Sequence, residues 1–187
     1  TLISTGTRHL QDQLFHSDLP VVMRTLGIAS KVSLLKGRSN YLCLHRLSIS
    51  TDQMFLTSET KTHIQKLRAW GKSTISGDIS EMSEITEDAR VWPLVTSTVE
   101  NCLGSECADW DNCFVVKARR EAQESDVVVI NHHLLLADMS IKEEGFGELL
   151  PSSEVFIIDE DHQLPEVTSG FFGKIISSLR LNNLYID

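Results

Sequence analysis

Two short segments, DVVVIN at 126–131 and EVFIID at 154–159, are almost wholly apolar and lack the alternation of polar and apolar residues that marks a half-exposed strand. Strands of this type are buried on both faces, as in a parallel sheet that helices cover on both sides. TLIST at 1–5 and KVSLLKG at 31–37 are typical of two further short strands, with helical patterns between them. The sequence therefore predicts an α/β fold built on a parallel sheet.

The middle of the chain, roughly residues 48–113, lacks this rhythm. It is rich in Ser and Thr, and it contains one plausible helix, ETKTHIQKLRAW, an acidic connector and a cysteine-bearing loop region. We interpret it as an insertion into the α/β domain.

The composition, with 41% hydrophobic and 23% charged residues and no long apolar run, predicts a soluble globular protein, neither membrane-spanning nor disordered. The start shows neither a signal peptide nor an initiator Met, so we expect a piece of a longer protein. A net charge of −9 argues against general polyanion binding. On charge alone, two basic groups are predicted to be solvated surface: Lys31, Lys36, Arg38 and Arg46, and Lys117, Arg119 and Arg120.

The four cysteines form a cluster of three with a distant fourth: Cys43, Cys102, Cys107 and Cys113. A cofactor can use such an arrangement to tie two segments of chain together. Structural zinc prefers two close pairs, which are absent from this sequence, whereas a [4Fe-4S] cluster needs four thiolates and accepts wider loops. We therefore rank an iron–sulfur cluster above zinc, and zinc above unligated structural cysteines. Disulfides are not expected without a secretory signal.

A second chemical pattern is the acidic stretch VFIIDEDHQLPE at 155–166. In P-loop NTPases an Asp at the end of an apolar strand holds the magnesium on the nucleotide phosphates, and a following carboxylate can take a proton from the attacking water. Asp159 and Glu160 suit these two roles, although a helix cap or surface turn would also explain them. GKS at 71–73 is not a Walker A loop, because Lys66 replaces its first Gly and no apolar strand precedes it.

With these residues in view, five ordered blocks resemble DinG-type iron–sulfur DNA helicases of superfamily 2, relatives of XPD, and in particular their YoaA branch. The blocks are LISTGTRHLQDQL, LLKGRSNYLCLHRL, WPLVTSTVENCLGSECADWDNCFVVKAR, DVVVINHHLLLAD and IIDEDHQLPE. The resemblance spans nearly the whole chain, with residues 48–90 its loosest part. It implies the part of a RecA-like P-loop NTPase motor domain that runs from motif Ia to the DEAH box.

The resemblance also implies domain boundaries. Residues 1–42 would be the N-terminal part of the motor domain, 43–113 an inserted, mainly helical iron–sulfur domain, and 114–187 the continuation of the motor domain with the DEAH-type box and the start of the next segment. Walker A would lie before Thr1, and this segment alone would lack ATPase activity.

Several residue roles follow from the resemblance alone. Asp159 would hold the Mg²⁺ of Mg-ATP, Glu160 and His162 would complete the catalytic box, and Asn131 would lie near the DNA path, where a helix N-cap explains it almost as well. Asp161 stands where the family usually has Ala, and the extra carboxylate would raise the proton affinity of its neighbours. The cluster ligands would be Cys43, Cys102, Cys107 and Cys113, and motif Ia, whose hydroxyls and amides grip DNA phosphates, would be Ser4, Thr5, Gly6 and Thr7.

The implied parent is a bacterial, cytoplasmic, nucleoid-associated helicase that uses ATP to move 5′ to 3′ on single-stranded DNA and to separate forked DNA in repair or replication. The cluster would stiffen an insertion with a weak core of its own. Trp70, Trp92 and Trp110 could stack on bases, although a local core is the simpler interpretation. The alternative function is a non-catalytic redox or interaction module held together by iron–sulfur or zinc.

Overall fold

A four-stranded parallel sheet forms the base of the molecule in the computed structural model, which describes residues 1–50, 56–143 and 149–172. The strand order is β2–β3–β1–β4, which confirms the predicted α/β fold with a parallel sheet. The predicted start of the next segment, at the end of the range 114–187, lies outside the described residues. The strands are β1 (Leu2–Thr5), β2 (Val32–Leu34), β3 (Val127–Asn131) and β4 (Phe156–Ile158).

Helices follow the strands, as expected of crossover connections between parallel strands. After β1 the chain forms α1, a π-helical turn at Leu14–Asp18 and α2, which begins with Pro20 in its first turn and ends at Gly27 in the left-handed conformation. Among the described residues no helix is both long and apolar enough to cross a bilayer. The helices of the α/β part are α1 (Arg8–Gln13), α2 (Leu19–Leu26), α6 (Phe114–Gln123), α7 (His132–Glu143) and α8 (Leu164–Phe172).

A buried amide fixes α1 on the sheet. Thr7 caps the helix by accepting a hydrogen bond from the Leu10 amide at 3.2 Å. One turn later the fully buried Gln11 donates through Nε2 to the carbonyl oxygens of Leu35 at 2.8 Å and Val129 at 3.2 Å. These two carbonyls belong to neighbouring strand segments, so α1 is held in place by directional hydrogen bonds as well as by apolar packing.

The insertion has its own apolar core, so the expectation of a weakly cored insertion is wrong. Three helices, α3 (Leu44–Ile49), α4 (Ser58–Trp70) and α5 (Trp92–Val95), pack around it. Trp92 is part of this core and donates its ring N–H to the Thr86 carbonyl at 2.8 Å. For Trp92 this confirms the simpler interpretation, a place in a local core. The buried members are Tyr41, Leu42, Leu47, Ile64, Leu67, Met82, Ile85, Val91, Trp92, Val95 and Phe114.

The GKS tripeptide at 71–73 lies in the turn that ends α4, where Gly71 is the C-cap residue. A helix, and not a strand, precedes it, which confirms that it is not a phosphate-binding loop. Lys36 contradicts the prediction of a solvated basic group, because its side chain is 1% exposed and pairs with two carboxylates. The strand β2 ends at Leu34 and the next residue, Leu35, is buried as well, but sequence charge alone did not indicate the burial of Lys36.

The core of the insertion predicts the effect of a side chain at Gly77. This residue has φ of +66°, and an added Cβ would overlap the Phe114 ring. We expect Gly77→Ala to lower the free energy of unfolding by about 2–5 kcal/mol, from backbone strain together with overpacking. Gly27→Ala is the matched control, with the same φ of +66° and no atom within 4 Å of the new Cβ, and should cost about 1–2 kcal/mol. Urea denaturation measures the free energy of unfolding of both variants. Equal losses would contradict the close packing of Phe114 against Gly77.

Candidate functional site

The carboxyl ends of β1, β3 and β4 meet at one edge of the sheet, the usual place for ligands in open parallel sheets. Thr5 lies opposite Asn131 in the β1–β3 register. Asp159 follows β4 directly, and its amide donates to the Ser4 carbonyl at 2.8 Å. The Thr5 hydroxyl lies 3.5 Å from Asp159 Oδ2. The sheet thus brings together residues from three distant parts of the chain.

Glu160 occupies a strained backbone conformation next to Asp159. Its φ of 56° is the only positive φ of a non-glycine residue in the described ranges. The left-handed conformation costs an L-residue roughly 1–2 kcal/mol and is concentrated at functional positions. Here it turns the chain from β4 into the 3₁₀ turn Asp161–Gln163 and then α8.

The side chains of this acidic turn, residues 159–163, contact one another. Glu160 Oε2 lies 3.4 Å from His162 Nε2 and accepts a hydrogen bond from Gln163 Nε2 at 3.4 Å. Gln163 also covers Gly6, where an added Cβ would overlap its side-chain amide. The acidic turn therefore packs directly on the predicted motif Ia, with no space for a side chain at Gly6.

The four residues predicted as motif Ia divide into two pairs. The side chains of Ser4 and Thr5 are buried and point inward, Ser4 Oγ lying 2.7 Å from Nδ1 of the fully buried His132. Gly6 and Thr7 line an open cleft. Thr7 is exposed on this cleft while Gly6 is buried beside it, so the structure offers Thr7 to a ligand, and the hydroxyls of Ser4 and Thr5 support the loop from inside.

That cleft has a volume of about 770 Å³ and lies between the motif Ia loop, residues 35–40, residues 97–100 and α7. Asn131 lines it and also accepts a hydrogen bond from the Leu134 amide at 2.9 Å. The N-cap interpretation of Asn131 is therefore observed, and its place on the cleft wall is compatible with ligand contact as well.

Two arginines give the cleft a positive wall. Arg38 and Arg119 both line it, and burial, followed by the charge of Arg38, lowers the pKa of Arg119. Across the described part of the chain, no carboxylate lies within 4.0 Å of either guanidinium. Two neighbouring guanidinium groups without a carboxylate in direct contact form a site suited to phosphate or carboxylate. Glu100 lines the same cleft and interacts with Arg38 at longer range, so the positive charge of this wall is partly balanced. Sequence charge alone had placed both in solvent, because their separation along the chain hides their proximity.

All four cysteines line a second cavity, of about 350 Å³, and none forms a disulfide. Cys43 immediately precedes α3 and Cys113 immediately precedes α6. Cys102 and Cys107 come from the loop between α5 and α6, which contains the 3₁₀ turn Gly104–Glu106. The fold thus brings the predicted set of thiols to one place.

The electrostatics of this thiol cavity favour a bound cation. Burial raises the pKa of the Cys43 thiol, and the other three thiols raise it further. Thiolates gathered in this way repel one another unless a metal offsets their charge.

The spacing of the sulfur atoms tests whether the four thiols could hold a single metal ion. A single tetrahedral zinc holds its thiolate sulfurs only about 3.8 Å apart, since each Zn–S bond is about 2.3 Å. Among the described residues, the three ligand atoms within 4.8 Å of one another are those of His45, Cys107 and Asp109, and no three cysteine sulfurs approach so closely. The four thiols therefore do not converge on one point as a single tetrahedral ion requires, while the mixed trio is a candidate site for one ion.

Known proteins with similar sequences were found among curated helicases, whereas no family model matches the chain. The whole chain aligns at 51% identity with the ATP-dependent DNA helicase YoaA of Escherichia coli and at 47% with YoaA of Haemophilus influenzae. The ATP-dependent helicase DinG of Mycobacterium tuberculosis is 35% identical over 90% of the chain. The chain spans only 29%, 29% and 28% of the lengths of these relatives.

Proposed function

Because this chain belongs to the DinG/YoaA type of ATP-dependent DNA helicase, we propose that it is the part of a motor domain that couples ATP hydrolysis to movement along single-stranded DNA. The observation that carries the proposal is the contact of the strained acidic turn with Gly6 of motif Ia. This contact joins the residues proposed for ATP hydrolysis to those proposed for DNA binding.

In the proposed reaction the acidic turn does the work at the nucleotide. Asp159, which Thr5 and the Ser4 carbonyl hold at the sheet edge, would ligate Mg²⁺. The bound Mg-ATP would supply the phosphoryl group and the neutralising metal charge. Glu160 would accept the proton of the attacking water, and His162, 3.4 Å away, would orient its carboxylate.

The second half of the proposal places single-stranded DNA in the 770 Å³ cleft. Backbone amides of Gly6 and Thr7 and the side chain of Asn131 would contact sugar and phosphate, while Arg38 and Arg119 would supply the charge that attracts a phosphodiester. The local positive wall offsets a net charge of −9 over the whole chain. Movement from 5′ to 3′ and action on forked DNA during repair or replication, in the cytoplasm at the nucleoid, complete the proposal.

Exposed apolar residues on β4 support a larger motor domain. Phe156, Ile157 and Ile158 are 44–53% exposed on an edge strand of the described sheet. Exposed apolar edges favour pairing with further strands. We propose that the remaining strands of the motor domain add at β4.

The four cysteines are proposed to hold a [4Fe-4S] cluster. Residues 98–113 contain no buried residue, whereas α3, α4 and α5 surround an apolar core. The cluster would therefore fix the cysteine loop, and not the insertion as a whole, against the starts of α3 and α6. The alternative, a metal-stapled module without catalytic function, is favoured only by the His45, Cys107 and Asp109 trio.

One prediction from the proposed function concerns the general base in the complete protein that contains this chain. Glu160→Gln should lower ATP turnover by about 10²–10⁴-fold, because the amide cannot accept the proton of water. Binding of single-stranded DNA should persist. Asp161→Ala is the control, since Ala is the usual residue there in the family, and should keep turnover. Wild-type turnover in Glu160→Gln would contradict the role of Glu160.

Another prediction distinguishes the two candidate metal sites. It uses two variants, each of which changes a residue that belongs to only one of the sites. Cys102 belongs to the four-thiol set and His45 to the mixed trio. After anaerobic purification we expect iron and acid-labile sulfide in a one-to-one ratio, lost in Cys102→Ala and retained in His45→Ala. Zinc without sulfide, lost in His45→Ala and retained in Cys102→Ala, would refute the cluster and favour the module.

A third prediction concerns the arginine wall. Arg119→Ala in the complete protein should weaken single-stranded DNA binding and reduce by about 1 the slope of log affinity against log salt concentration. Arg24→Ala, an exposed arginine on α2 away from the cleft lining, should change neither quantity. Fluorescence anisotropy over a salt series measures both, and an unchanged slope for Arg119→Ala would remove this residue from the DNA site.

A further inference from the structure

A buried ammonium group joins three parts of the chain that none of the predicted motifs connects. Lys36 follows β2, and its side chain is 1% exposed. Its Nζ lies 2.6 Å from Asp12 Oδ1 and 2.6 Å from Asp78 Oδ2, and it donates to Ser80 Oγ at 3.2 Å. One lysine therefore joins α1, the inserted domain and the segment that follows β2, a strand at the edge of the described sheet.

Two members of this bridge, Asp78 and Lys36, are held by further hydrogen bonds. Asp78 Oδ1 accepts hydrogen bonds from the Ser80 amide at 3.0 Å and the Ser80 hydroxyl at 2.8 Å, so its carboxylate cannot rotate freely. The Lys36 amide donates to the hydroxyl of buried Tyr41 at 3.0 Å, and Tyr41 lies in the core of the insertion. Lys36 and Asp78 are therefore both held in place, and their contact is not a mobile surface ion pair.

A second polar link runs parallel to the first. Arg8 Nη1 donates to Asn40 Oδ1 at 2.9 Å, and Asn40 in turn donates to the Gly37 carbonyl at 3.0 Å. Arg8 and Asp12 both belong to α1, which begins directly after the motif Ia residues Gly6 and Thr7. The helix that follows motif Ia is thus tied to Asp78 of the insertion through Lys36, and at a second point to residues 37–40, which lie just before the insertion.

The space between α1 and the insertion is otherwise open. A cleft of about 480 Å³ lies there, with Arg8, Asp12 and Lys36 on one side and Asp78 and Trp92 on the other. Polar contacts, and not a continuous apolar interface, therefore set the distance across it. A buried ion pair resists separation strongly, because removing one partner leaves a desolvated charge.

We infer that Lys36 is a positioning residue that couples the inserted domain mechanically to motif Ia. Force on the insertion, as from a duplex end that meets it, passes through Asp78 and Lys36 to Asp12, and α1 then moves Gly6 and Thr7 on the DNA. The inference rests on the proposed function, because it takes a DNA duplex as the source of the force on the insertion. The contacts of Lys36 with Asp12 and Asp78 do not depend on that source.

The variants are chosen to break the bridge without removing its buried cation. Asp78→Asn and Asp12→Asn keep the shape of each side chain, and each leaves Lys36 one carboxylate. Lys31→Met is the control, because Lys31 forms an exposed pair with Glu124 at 3.0 Å, with side chains 45% and 72% exposed. All three are made in the complete protein that contains this chain.

Hydrogen exchange tests the coupling without any assay of activity. In Asp78→Asn we expect faster exchange of the amides of residues 8–13, although Asp78 lies in another part of the chain. A purely local role for Asp78 would speed exchange only around residues 76–81. That local result would overturn the inference.

Unwinding tests the consequence for the motor. We expect Asp78→Asn and Asp12→Asn each to lower the number of base pairs opened per ATP by about tenfold, while ATP turnover on single-stranded DNA stays near the wild-type value. Equal losses of turnover and unwinding, or normal coupling in the single variants, would refute the inference. A wild-type protein without turnover or unwinding would instead refute the proposed function, and exchange would still test the bridge.

Discussion

The position of β1 between β3 and β4 determines where everything else in this structure lies. Parallel pairing on both sides of β1 places Thr5 next to Asn131 and brings Ser4 beside Ile158, immediately before the acidic turn. Side chains that are far apart in sequence thus reach one edge of the sheet. The Gly6 backbone can then contact Gln163 because no side chain separates the two loops.

Basic residues that are close together in sequence have different roles here, because one is buried and the other lines a cleft. Lys36 and Arg38 are two positions apart, yet Lys36 is neutralised inside by Asp12 and Asp78 while Arg38 faces a cleft. A buried cation requires fixed anionic partners, whereas a cation on a cleft wall is solvated by water until an anionic ligand binds. Lys36 therefore serves the internal geometry, and Arg38 with Arg119 supplies charge to a ligand.

The features that sequence predicted are those encoded locally. Four apolar segments became the four described strands, and the helix in ETKTHIQKLRAW formed as α4. The buried amide of Gln11, the Lys36 bridge and the left-handed conformation of Glu160 could not be predicted, because each depends on partners brought close only by the folded chain. The core of the insertion was missed for a related reason, since its apolar residues occur singly or in pairs that are far apart along the chain.

Helix α6 explains how a cysteine site on a loop without buried residues can still be held rigidly on the sheet. Phe114, directly after Cys113, is buried in the core of the insertion, and Ala122, near the other end of the helix, is buried in the core of the sheet. Ala118 lies between them and packs against both cores. The spacing of four puts all three residues on one helix face, so a single helix crosses from one core to the other. Any group that binds Cys113 is therefore fixed to the sheet through α6, and the Lys36 bridge fixes the opposite side of the insertion to α1.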